Sequence, residues 1–210
     1  MSMVLLASSL GLTYLIGAIP TAYIVGRLFK GIDIREHGSG NVGATNAFRV
    51  LGKWPGTVVL TIDILKGIIP TAVIANIFGL TTPLMLVIIG LVAVAAHNWT
   101  VFLNFKGGKG IATSLGVLIG LTIQIPGLRP VLLIVVAVWL VVFLLSGYVS
   151  LASLFATVAL PISMVTVEAP FVLKIMSIIL CIFIVFRHRS NITRLIQSKE
   201  NRVRLPFLRK

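Results

Sequence analysis

The stretch Gly38-Ser39-Gly40-Asn41-Val42-Gly43-Ala44-Thr45-Asn46 is polar and glycine-rich, and it interrupts a strongly apolar chain. Glycines let a ligand approach the main chain closely and can expose backbone N–H groups; hydroxyls and amides add further hydrogen-bonding groups. Arg49 and Lys53 follow at once. These residue types together predict a pocket for an anion, most simply a phosphate, with Ser39, Gly40, Asn41, Thr45, Asn46 and Arg49 as candidate contacts. Read as G-x-x-x-x-G-A-T, the stretch has Ala44 where a nucleotide-binding P-loop needs lysine, and no alternating strand precedes it. The bland alternative is a flexible linker, which also favours Gly and Ser. The mixture of Asn, Thr, Val and Ala argues for the anion site over that linker.

A second segment, Lys106-Gly107-Gly108-Lys109-Gly110, ends the third apolar tract. Flanking positive charge would account for Lys106 alone. The interleaved glycines predict backbone N–H groups facing one concavity, with Lys109 adding charge. A helix starting at Ile111 would turn its partial positive end the same way. A third segment, Arg187-His188-Arg189-Ser190-Asn191, follows the last apolar tract. By itself it reads as a juxtamembrane basic cluster, but His188 is suited to proton transfer near neutral pH. His97 has a similar setting at the end of the third tract, and His37 reads as a loop residue. Asp63 and Lys66, three apart within the second tract, predict a buried pair on one helix face, structural or functional. Ser150, at the start of the sixth tract, either caps that helix or lines the pocket.

The absences narrow the chemistry. No His-x-x-x-x-Asp of the soluble acyltransferases and no G-x-S-x-G elbow is present. The one cysteine, Cys181, permits no intramolecular disulfide, and His, Cys and carboxylates are too few for a catalytic metal site. The expected chemistry therefore runs on cations, hydroxyls and backbone N–H groups, with no cofactor and no metal.

These groups need a scaffold, and the composition says which kind. Of 210 residues, 58% are hydrophobic and 11% charged, far from the roughly one-quarter charged of a soluble domain. The formal charge of +13 is explained by cations at helix ends against anionic lipid, without nucleic acid, and it would also favour a phosphorylated substrate. Apolar tracts fall at about 4–24, 57–78, 83–102, 111–125, 131–145, 151–167 and 171–186. The first has no charged leader and reads as a retained span; the fourth is short. The fold class is thus all-α, a polytopic membrane protein of about seven spans forming a single domain over 1–210. Most cations follow the first, third and seventh tracts. That places the N-terminus outside and both glycine-rich segments on the cytoplasmic side, with the basic tail 187–210. A small organic-phosphate transporter using Asp63 and Lys66 is the alternative, but no internal repeat supports it. A structural anchor would leave the glycine motifs unexplained.

The three segments together resemble the bacterial membrane glycerol-3-phosphate acyltransferase family (PlsY). The resemblance rests on Gly38 to Asn46 with Arg49, on His97 with Phe105 to Thr113, and on Arg187 to Arg194. Asp63-x-x-Lys66-Gly67 and Tyr148-x-Ser150-Leu151-Ala152-Ser153 extend it over nearly the whole chain. Ala96 and Thr100 depart from it, standing where Gly and Pro are usual. The resemblance implies a seven-span enzyme in the bacterial inner membrane with a cytoplasmic site. It implies transfer of an acyl group from acyl phosphate to the 1-hydroxyl of sn-glycerol 3-phosphate, the first step of phospholipid synthesis. Ser39, Arg49, Lys109, His188 and Asn191 are then expected to bind glycerol phosphate and organise transfer. Gly107, Gly108 and Ser150 are expected at the acyl phosphate, and Gly40, Asn41, Thr45, Asn46, Lys106 and Gly110 line the anion sites. The base is His188 or a substrate phosphate oxygen. The partners are the two substrates and membrane lipids, and a monomer is compatible with all of this.

Overall fold

A computed structural model describes residues 3–203. Their regular elements are all helices, with no strand among the described residues. Among the described residues, five helical stretches are long and apolar enough to cross a bilayer. A sixth span results if Phe171–Arg187 and Arg189–Ile196, which meet at 58°, are taken together, and Ile111–Gln124 is apolar but shorter. Residues 204–210 of the expected basic tail lie outside the described residues. The chain divides into two compact units, one ending at Ile125 and the other beginning at Pro126.

In the first unit the initial tract is not one straight helix. It is broken between α1 (Met3–Ala18) and α2 (Thr21–Lys30). Pro20 has no N–H to continue the ladder and its ring restricts Ile19. The Thr100 hydroxyl donates to the Ala18 carbonyl at this break and accepts from the Phe102 N–H at 3.2 Å. One residue that departs from the family pattern thus supports the helix end that the proline leaves exposed. The other departure, Ala96, packs on α1, where a Cβ added at Gly17 would come within 2.7 Å of the Ala96 Cβ.

The polar segment between the first two tracts is more ordered than a loop. It contains a 3₁₀ turn (Ile34–Glu36) and α3 (Ala44–Leu51). α4 (Lys53–Ile68) starts ahead of the apolar run, with Pro55 in its first turn, where the missing N–H costs nothing. It continues through a π-helical turn (Ile69–Ile74) into α5 (Ala75–Ile77). Pro70 disturbs the ladder there. The Thr71 hydroxyl donates to the Gly67 carbonyl at 2.7 Å, and the Gln124 amide donates to the Thr71 and Ala72 carbonyls at 3.3 Å. Backbone groups freed at membrane depth are re-satisfied by side chains in this way. α6 (Pro83–Asn98) and α7 (Ile111–Gln124) complete the unit. α7 lies against α4 through small residues: a Cβ on Gly116 would strike the Ile64 carbonyl, and one on Gly67 the Thr113 carbonyl. Close small-residue packing is how helices associate without a hydrophobic drive.

The second unit is built from α8 (Arg129–Ser146), α9 (Val149–Thr166), α10 (Phe171–Arg187) and α11 (Arg189–Ile196). α9 packs on both α8 and α10. Of α8, only Val131 is buried, so its remaining apolar surface suits lipid.

Candidate functional site

The glycine-rich stretch is held from inside by one amide. Asn46 is 1% exposed. Its Oδ1 accepts from the Ser39 N–H at 2.9 Å, and its Nδ2 donates to the carbonyls of His37 at 3.0 Å and Ile34 at 3.3 Å. Gly38 (φ +62°) and Gly40 (φ +68°) take left-handed conformations that allow the chain to curl around it. Beneath lie Ala22, Val25, Ile34, Val42, Ala47, Leu51 and Val59, a shared apolar core. Asp33 adds a tether, accepting from the Arg35 side chain at 2.6 Å and from its N–H at 3.0 Å. The Arg35 hydrogen bond, opposed by burial and helped by the Arg35 and Arg27 charges, holds the Asp33 carboxyl down to about 2. His37 donates from Nδ1 to the Asp33 carbonyl at 2.9 Å.

The stretch is therefore a built loop rather than a linker, and Ser39, Thr45 and Arg49 stand exposed on it. Asn46, expected to touch substrate, is instead the loop's internal fastener, because its polar atoms are engaged with the chain. Replacing Asn46 with Ala removes the acceptor of the Ser39 N–H and one donor from each of the Ile34 and His37 carbonyls, which keep the His37 and Gly40 N–H groups as partners. The expected cost is about 1–3 kcal/mol, read by thermal unfolding of the detergent-solubilised protein.

The second glycine segment is equally constrained, and here one expectation is corrected. The N–H groups of Gly107 and Gly108 are taken up by the chain's own carbonyls. They donate to the Asn98 carbonyl at 3.0 Å and the His97 carbonyl at 3.1 Å, folding the segment back on the end of α6. The glycines are needed for closeness: a Cβ at Gly107 would strike the His97 carbonyl, and one at Gly108 the His97 ring. Asn104 (φ +49°) and Phe105 (φ +60°) make the reversal. Gly110 (φ +87°) then precedes α7, which begins at Ile111 as the sequence predicts. Lys106 is exposed and Lys109 half-buried.

Asp63 and Lys66 are each 2% exposed and form an ion pair of 2.6 Å on α4. His97 Nδ1 lies 3.8 Å from the same carboxylate oxygen. A small cleft opens beside them, lined by Thr21, Val42, Lys66, His97, Thr100 and Gly108 among others. The Thr21 hydroxyl is buried with no hydrogen-bond partner among the described residues. Asp63, Lys66, His97 and the second glycine segment thus form one polar assembly in the first unit. Gly40 and Asn41 belong to the loop described above.

In the second unit His188 sits at the bend between α10 and α11 and is 4% exposed. Its Nδ1 lies 2.8 Å from the Ile184 carbonyl. A carbonyl can only accept, so the neutral ring carries its proton on Nδ1 and its basic lone pair on Nε2. Asn191 follows one turn later, 6% exposed. Ser150 does not cap α9. Its hydroxyl donates to Glu200 Oε1 at 2.9 Å, the atom that also accepts from Asn191 Nδ2 at 2.7 Å, while Arg194 Nε donates to Glu200 Oε2 at 2.7 Å. Glu200 is not among the residues that the sequence analysis singles out. Its only signal was a lone acid in a basic tail.

Residues 7–198 match the glycerol-3-phosphate acyltransferase family. A protein named glycerol-3-phosphate acyltransferase from Fusobacterium nucleatum is 46% identical over 191 residues, spanning 91% of this chain and 94% of its own. One of the same name from Bacillus subtilis is 44% identical over 201 residues, spanning 95% and 98%. The crystal structure of PlsY, an integral membrane glycerol 3-phosphate acyltransferase, in its glycerol 3-phosphate form superposes with a TM-score of 0.85 at 40% identity, covering 95% of this chain and 96% of that one. Its lysophosphatidic acid form gives 0.82 at 39% identity, covering 95% of each. A shared fold, full-length similarity and all three motif segments agree: this multi-pass membrane protein belongs to the glycerol-3-phosphate acyltransferase family.

Proposed function

We propose that this protein moves a fatty acyl group from acyl phosphate to the 1-hydroxyl of sn-glycerol 3-phosphate, forming lysophosphatidic acid and releasing inorganic phosphate. The observation that carries this reading is the likeness along nearly the whole chain to PlsY in its glycerol 3-phosphate and lysophosphatidic acid forms. Acyl phosphate is a mixed anhydride, already activated, so no protein nucleophile is required. Holding the two reactants and stabilising developing charge can supply the acceleration.

Ser39 and Arg49, exposed on the fastened loop, and Lys109 contribute hydroxyl and positive charge for the phosphates. Thr45, Gly40, Asn41, Lys106 and Gly110 border these groups in sequence. His188 and Asn191 organise the acceptor, and Nε2 of His188 takes the proton from the attacking hydroxyl. In this account Gly107 and Gly108 serve the acyl phosphate by shape, since their N–H groups are used internally. Asp63 and Lys66 satisfy each other, which removes the feature that favoured a transporter. The protein works in the bacterial inner membrane with its N-terminus outside and its site facing the cytoplasm. The acyl chain stays in lipid while the head group enters from the aqueous side, and 1–210 acts as one domain.

The donor is tested with radiolabelled glycerol 3-phosphate and equal concentrations of palmitoyl phosphate, palmitoyl-CoA or palmitoyl-carrier protein. Product is expected from the acyl phosphate only. Equal rates from either thioester would overturn the donor assignment.

A further inference from the structure

We propose that Glu200 is a positioning residue for this enzyme, holding the Asn191 amide in its working orientation through a strap formed by the chain after α11. The role rests on the acyltransferase reading above.

The strap is a defined structure. The chain reverses at Ser198 (φ +55°), where the N–H groups of Ser198 and Lys199 donate to the carbonyls of Leu195 and Arg194. It then crosses the turn between α8 and α9. The Val203 N–H donates to the Gly147 carbonyl at 2.9 Å, Arg202 Nε donates to the Ser146 carbonyl at 2.9 Å, and the Arg202 guanidinium stands 5.9 Å over the Tyr148 ring. Gly147 permits this approach: its φ is +74°, and a Cβ there would come within 2.9 Å of the Val203 carbonyl. Between the two anchorages the Glu200 side chain turns inward until it is 7% exposed.

What Glu200 meets there belongs to three different places in the sequence: Ser150 on α9, and Asn191 and Arg194 on successive turns of α11. A carboxylate can only accept. Asn191 must therefore turn its nitrogen toward Glu200 and its oxygen away, which decides the amide orientation. Ser150 has one hydroxyl proton and gives it to the same oxygen, so toward anything else it offers lone pairs only. Ser150 then supports the site instead of donating to a phosphate. Burial opposes the charge on Glu200, but hydrogen bonds from Asn191, Arg194 and Ser150 outweigh it and keep the carboxyl below its ordinary range.

An opposite role is conceivable in which the carboxylate stands where a substrate phosphate must go and is expelled by it. Expulsion would break three hydrogen bonds to an ion and leave that ion beside a dianion. The arrangement favours a carboxylate that stays and fixes its neighbours.

The test is a double-mutant cycle on the full chain with palmitoyl phosphate and glycerol 3-phosphate, using Glu200→Gln, Asn191→Ala and both together. Glu200→Gln is expected to lower kcat by about ten- to a hundredfold, as small misplacements do, with KM for both substrates changed less than about threefold. The double variant is expected to be no slower than Asn191→Ala alone, since one residue acts through the other. If Glu200→Gln does not fold, Arg202→Ala, which unpins the strap without touching the carboxylate, is expected to show a smaller loss in kcat at unchanged KM. Full activity in a folded Glu200→Gln, full activity in Arg202→Ala when that variant is the one read, a double variant slowed by the product of the single effects, or a rise in activity would each overturn the positioning role. Wild-type protein that transfers nothing would instead sink the acyltransferase reading, and the role with it.

Discussion

Replacing His188 with glutamine is expected to lower kcat by about a hundredfold or more, the usual contribution of a general base, while KM for glycerol 3-phosphate changes little. Glutamine has similar reach and can still donate to the Ile184 carbonyl, so the bend between α10 and α11 should survive. What it cannot do is accept a proton. The Nδ1 contact to Ile184 at 2.8 Å places the lone pair on Nε2, on the opposite edge of the ring. Steady-state rates with palmitoyl phosphate measure the effect. A loss under about tenfold with unchanged binding would transfer the role of base to a substrate phosphate oxygen.

The second large effect concerns folding. Lys66→Met leaves the Asp63 carboxylate 2% exposed without its 2.6 Å partner. Losing one half of a buried pair costs about 3–5 kcal/mol. His97 stands 3.8 Å from the same oxygen. The cost is therefore expected to fall on the His97 end of α6 and on the glycine segment folded against it. Asp63→Leu combined with Lys66→Met removes both charges and should recover most of the loss, because an apolar pair of similar volume needs no desolvation. Thermal unfolding in detergent reads both variants. A double variant as unstable as Lys66→Met alone would mean that the pair does more than satisfy itself.

The sequence made the helices legible because a bilayer demands long apolar runs, and α6 to α10 begin and end within a few residues of those runs. It could not show the break at Pro20, since hydropathy is blind to a lost N–H inside an apolar stretch. It also concealed α3, whose Ala44–Leu51 run is short and amphipathic inside a segment dominated by glycine. At the site, residue types gave the right neighbourhoods but not the direction of each group. The glycine spacing predicts that Gly107 and Gly108 offer N–H donors to a ligand, whereas the folded chain uses those donors for its own carbonyls. Asn46 looked like a contact and is a fastener. Glu200 drew no attention because the carboxylate meets its partners only after the chain reverses at Ser198, and no local spacing encodes that reversal. Thr100, a departure from the family pattern, becomes intelligible only beside the Ala18 carbonyl it supports.

The most direct test of the account is release of inorganic phosphate by the purified protein given palmitoyl phosphate and glycerol 3-phosphate, run beside Lys109→Ala. The account predicts release that requires both substrates, matches lysophosphatidic acid mole for mole, and collapses in the variant. Phosphate release that ignores glycerol 3-phosphate, or folded protein that releases none, would contradict it.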